Sequence, residues 1–114
     1  MKYNLEKTTQ VINDLIIFCH ELGASHFESE IVQKTEHTYF CLKSHVPELD
    51  PKILKHLKHD LMQDRQHEVE EMYWSIIYDS ANPIELTTIG MMLDDVTVDY
   101  IDGVLIINGH RKND

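Results

Sequence analysis

The chain has 114 residues, 42% of them hydrophobic, and its 20 acidic against 10 basic side chains leave a formal charge of −10. That length suits one domain of about 100–150 residues around a single core, and the composition excludes a disordered tail. The acidic balance argues against nucleic acid, whose phosphates are held by Lys and Arg, and against anionic membranes. Basic or apolar partners and divalent cations remain compatible with it. Four glycines and three prolines leave no room for a linker, so residues 1–114 read as one domain.

No apolar run approaches the roughly 20 residues that span a bilayer, and "MKYNLEKTTQ" lacks the apolar stretch of a secretory signal. Cys19 and Cys41 sit in apolar patterns and form no CxxC pair. Both are expected to be buried and reduced in a cytoplasmic protein, although their spacing leaves a disulfide open.

Val11, Ile12, Leu15, Ile16, Cys19 and Leu22 recur at helical spacing, and Gly23 follows as a C-cap, so the first helix is expected from about Leu5 to Leu22. Two extended segments follow, at about Ser25–Val32 and Thr38–His45, joined by the short link "QKTEH" as an antiparallel hairpin. In the second of them Thr38, Phe40 and Leu42 alternate with Tyr39, Cys41 and Lys43. Asp50 then caps a second helix with Pro51 in its first turn and Ile53, Leu54, Leu57 and Leu61 as its apolar stripe.

A third helix, about Asp64 to Tyr78, carries the stripe Val69, Met72, Tyr73, Ile76 and Ile77. At roughly 100° per residue this stripe is turned by about a quarter turn from that of the second helix, which predicts a break near Gln63–Arg65. Asn82, Pro83 and Glu85 form a capping-box-like start to a fourth helix, with Leu86, Ile89 and Leu93 inward and Gly90 admitting another backbone. Finally, Asp102-Gly103 fits a type I′ turn that pairs Ile101 with Val104 and Tyr100 with Leu105. Val96, Val98, Tyr100, Leu105 and Ile107 then face the core. Thr97, Asp99, Ile101, Val104, Ile106 and Asn108 face away. The expected fold is α+β in the order αββαααββ, a four-stranded antiparallel sheet of two hairpins with helices on one face.

Opposite the apolar stripe of the third helix lie His67, Glu71, Trp74 and Tyr78. A solvated helix face is built mostly from Glu, Lys, Gln and Arg. Aromatic residues there point to a covered face, either under another part of the chain or under a partner. His56, His59, His67, Glu70 and Glu71 are the candidates for a metal site, since bundle metals are held by Glu and His from facing helices. They follow none of the recognised zinc spacings, and solvated helices carry such residues routinely. Asp94, Asp95, Asp99 and Asp102 do not follow the calcium-loop pattern and read as cap, strand and turn residues. No nucleophile elbow or phosphate-binding glycine loop is present. No cofactor and no catalytic residue is expected.

Across "RQHEVEEMYWSIIYDS" and "ELTTIGMMLDD" the chain resembles a family of small bacterial proteins of unknown function. Its members carry a similar Arg-x-x-Glu-Val-Glu-Glu run before an aromatic pair, then Gly-Met-Met before the last hairpin. The resemblance covers most of the chain from the first helix onward and brings no catalytic residue with it. "VINDLIIFCHELGASHFESEI" is also similar to the asparagine-bearing helix of histidine-kinase-like ATPases, which would make Asn13 the counterpart of a magnesium ligand. That family's Asp-x-Gly-x-Gly box and glycine-rich lid are missing, and an exposed helical asparagine is the simpler reading. The sequence therefore points to a non-enzymatic interaction or regulatory domain. It would self-associate or bind a protein partner through His67, Glu71, Trp74 and Tyr78 and through the cluster Ile101, Val104 and Ile106. Small-ligand binding, at the His/Glu cluster or on a degenerate nucleotide fold, is the alternative.

Overall fold

The computed structural model describes residues 3–77 and 85–113, with the side chains of all of these except 75–77. The order is α1 (Asn4–Glu21), β1 (Phe27–Gln33), β2 (His37–His45), α2 (Pro51–Leu61), α3 (His67–Ile77), α4 (Leu86–Met91), β3 (Asp95–Ile101) and β4 (Val104–Lys112). The four strands form one antiparallel sheet in the order β1-β2-β4-β3, so each hairpin contributes one central strand. This is an α+β fold, as expected. Tyr78, Asn82 and Pro83 lie outside the described residues, and with them the expected cap of α4. Glu85 stands at its N-cap without a side-chain cap hydrogen bond.

Local chemistry explains the element ends. The α1 helix stops because Gly23 takes a φ of 103°, which lets its N–H and that of Ala24 turn back to the carbonyls of His20 and Cys19. At the start of α2 the Asp50 carboxylate accepts from the Lys52 N–H at 2.8 Å, with Pro51 behind it. The last turn has φ of 51° at Asp102 and 79° at Gly103, as a type I′ hairpin requires, and its register pairs Ile101 with Val104. The predicted break between α2 and α3 is also present: no helix runs through residues 62–66.

The sheet buries one face. Thr38, Phe40, Leu42 and Ser44 of β2, Val98 of β3, and Leu105, Ile107, Gly109 and Arg111 of β4 are all covered. They share the interior with Val11, Leu15 and Cys19 of α1, Leu57 and Leu61 of α2, Ile89 of α4, and Met92 and Leu93 just after it. Each fully buried side chain of this kind contributes about 1.5–3 kcal/mol. Phe40 and Gly109 are directly paired, and a Cβ on Gly109 would fall within 2.1 Å of the Phe40 ring. The ring therefore occupies the space that the glycine leaves open.

Three expectations need correction. Ile53 is exposed, because α2 buries only its C-terminal half, Leu57 and Leu61, where α4 abuts it. Met72 is 53% exposed while Glu70 is buried. At about 100° per residue, Met72 lies some 200° around α3 from the side that Glu70 turns inward. Cys41 is half-exposed on the uncovered face, since it alternates with the buried Phe40 and Leu42, and both cysteines are free thiols. The last strand, for which the sequence set no end, continues beyond Asn108 to Lys112 and carries Arg111 into the interior.

Gly90 gives the sharpest test of the packing. A Cβ there would meet the Leu61 carbonyl oxygen at 2.6 Å and its carbon at 2.9 Å, both backbone atoms at the end of α2. In an open helix Gly→Ala stabilises by about 1 kcal/mol. Here Gly90→Ala is expected to destabilise the chain by about 1–3 kcal/mol in urea unfolding, as overpacking does. A stabilised variant would show that α2 and α4 are not in backbone contact.

Candidate functional site

Glu70 points into the molecule and is surrounded by cations. Arg111 donates to both its oxygens, at 2.8 Å to Oε1 and 3.3 Å to Oε2, and Lys7 Nζ lies 3.1 Å from Oε2. Arg65 Nη2 reaches the same oxygen at 3.4 Å. Around this centre, Arg111 also donates to the Met92 carbonyl at 2.6 Å and to Asn4 Oδ1 at 3.3 Å, and Asn4 donates to Thr38 and Asn113. Arg65 bridges to Asp94 at 2.8 Å and to the Lys112 carbonyl at 2.9 Å. The network centred on this carboxylate thus ties α1, the 62–66 segment, α3, Met92 just after α4, and β4 together.

This network settles what α3 presents. Glu71 pairs with Lys7 from the rim, and Trp74 is half-buried with its ring 5.8 Å from that of Tyr3. His67 is exposed at the start of the helix. Part of the expected line is therefore covered by the chain itself, and Tyr78 lies outside the described residues. His56 and His59 stand exposed on α2, and Asn13 is exposed on α1. Among the described residues no group of three or more His, Cys, Asp and Glu side chains is placed to hold a metal ion, so His56, His59, His67, Glu70 and Glu71 do not converge as three ligands.

The second candidate surface is the helix-free face of the sheet. The register sets Val32, Tyr39, His110 and Asp95 in one row across the four strands, and Glu30, Cys41, Asn108 and Thr97 in the next. Glu28, Lys43, Ile106 and Asp99 follow, and then His45, Val104 and Ile101. Ile101, Val104 and Ile106 do share this face. They lie at the turn end of β4, whereas α3 meets the other end of that strand on the opposite face, through Arg111. The two expected surfaces are therefore separate. At the far end of the face sits a group that the sequence reading missed: Asp95 Oδ2, His110 and His37 in a hydrogen-bonded chain, with the Tyr39 ring stacked on His110 at 4.8 Å.

A groove of about 370 Å³ opens between α1, α2 and α4, lined by Asp14, Phe18, Glu21, Asp60, Glu85 and Leu86 among others. No described helix is long and apolar enough to cross a membrane. No protein-family model matches the chain, and no curated protein is significantly similar to it.

Burial pushes the Glu70 carboxyl up, but the hydrogen bond and charge of Arg111, with Arg65 and Lys7, outweigh it and hold the group below the ordinary carboxylate range. Asp94 is likewise held down, its burial outweighed by the Lys112 N–H and Arg65. A carboxylate depressed on folding stabilises the native state above its unfolded value of about 4, and that contribution is lost as pH falls through the folded value. Glu70→Gln is expected to cost about 3–5 kcal/mol at neutral pH, because it strands buried cations. It should also flatten the fall in stability below about pH 5, measured by urea titration at several pH values. A variant as acid-labile as the parent would remove Glu70 from the account.

Proposed function

We propose that this chain is a non-enzymatic protein-interaction domain whose partner docks on the helix-free face of the sheet. The observation that carries the reading is the apolar surface left without intramolecular cover there. Ile101 is 56% exposed, Tyr39 41% and Val32 40%, with Val104, Ile106 and Cys41 half-exposed between them. A two-layer fold buries one side of its sheet, and the other side is usually polar unless something covers it. The α3 face, in contrast, is already partly occupied by Tyr3 and Lys7.

The face also carries a charge pattern that describes the partner. Glu28, Glu30, Asp95 and Asp99 lie on the two outer strands, against Lys43 on a central one. A surface with an apolar centre and a basic rim complements this arrangement, and complementary charge raises the encounter rate and excludes acidic competitors. Self-association of a chain with a net charge of −10 is the less favoured form of the same reading.

Photo-crosslinking in cells separates these possibilities. A crosslinker placed at Ile101 or Tyr39 is expected to give a discrete adduct, lost when Ile106→Asp is added, while one at Lys52 or Lys58 on α2 gives none. The adduct mass distinguishes a second copy from a different protein. Adducts of equal yield from all four positions, or from none, would overturn the proposal.

A further inference from the structure

The geometry points to a divalent-metal site formed by His37 and His110 at the far end of the helix-free face, specific for late first-row ions and argued from the histidine geometry alone. His37 Nδ1 lies 2.7 Å from His110 Nε2. Two ring nitrogens that close share one proton, since two N–H groups cannot point at each other across that distance. His110 Nδ1 lies 2.9 Å from Asp95 Oδ2. A carboxylate there holds the proton on Nδ1 and turns the Nε2 lone pair toward His37, the arrangement in which metal-binding histidines are usually held.

Replacing the shared proton by a metal requires a small separation and a modest turn of the rings. With each nitrogen about 2.0–2.1 Å from a tetrahedral ion, the nitrogens stand about 3.3 Å apart, so the rings need to part by about 0.6 Å and their lone pairs to turn about 35° off the N–N line. Tyr39 stacks on His110 with an interplanar angle of 19° and limits the ring's rotation, and the His110 side chain is only 15% exposed. His37 is half-buried, on a face without helices, so water can fill the remaining positions. The nearby charges are Asp95 and Glu36 on one side of the balance, and Lys112, opposite His37 in the register, with Lys34 over the Tyr39 ring on the other. Two imidazoles without a third protein ligand favour copper(II), nickel(II) and zinc(II) and exclude magnesium and calcium, which take oxygen donors.

The test is calorimetric titration of the tag-free, chelator-treated chain with each ion, beside paramagnetic broadening by Ni²⁺ followed by NMR. One ion is expected per chain, with copper(II) tightest, zinc(II) weaker and magnesium silent. The displaced proton moves to His37 Nε2, so a pair of neutral imidazoles takes the ion without net proton release, and the heat should not depend on the buffer. His37→Ala and His110→Ala should each weaken binding at least about tenfold and Asp95→Asn about tenfold, as loss of an orienting carboxylate does. His56→Ala and His59→Ala should change nothing. In the unmutated chain Ni²⁺ should broaden the His37, His110 and Tyr39 ring signals first, a readout that needs no variant to fold. Absence of nickel and copper binding at millimolar ion, or broadening that begins at His56 and His59, would overturn the site.

Discussion

One buried ion pair, Glu70 with Arg111, fixes the arrangement of this molecule. Both side chains are almost completely removed from water, which is costly unless charge and hydrogen bonds are returned in full. Here most of them are returned from four groups besides the pair itself, Lys7, Arg65, Asn4 and the Met92 carbonyl, with Arg111 Nε left without a partner among the described residues. None of these partners is a sequence neighbour of Arg111. The helix α3 can therefore sit in only one rotation, the one that places Glu70 over β4.

That constraint divides the surface. Once α3 is turned by Glu70, its aromatic residues are drawn partly under cover, and Tyr3 closes over Trp74. The helices and the interior they enclose all lie on one side of the sheet. The other side keeps its isoleucines, its tyrosine and the Asp95–His110–His37 chain open to solvent or to a partner. The interaction reading spans this face and the metal reading its far end, where Tyr39 and Asp95 serve both, and neither draws on the buried charges.

Much of the fold was legible because its signals are local. The Asp102-Gly103 turn, Pro51 behind Asp50 and Gly23 after the first apolar stripe each act within a few residues, and each is found where expected. The charge network was not legible, for a physical reason. On α3, Val69 and Tyr73 lie to one side of Glu70 and Glu71 and Trp74 to the other, so the wheel showed two sheltered flanks. The inward direction runs between them, through a residue whose charge made it look solvated. Arg111 hid in the same way: it continues the alternation of Leu105, Ile107 and Gly109, but a guanidinium at a core position is found only by extending the strand. The His37–His110 pair depends on the β2–β4 register, which joins strands of different hairpins and leaves no local trace.

A double-mutant cycle on Glu70 and Arg111 tests the central claim most directly. Glu70→Leu and Arg111→Met are measured singly and together by urea unfolding at neutral pH. If the pair organises the fold, Glu70→Leu strands the buried Arg111 and loses about 3–5 kcal/mol, Arg111→Met loses less because Glu70 keeps Lys7 and Arg65, and the double variant loses clearly less than the two single losses together. Losses that simply add would mean that the two side chains act independently, and the account of how α3 is oriented would be wrong.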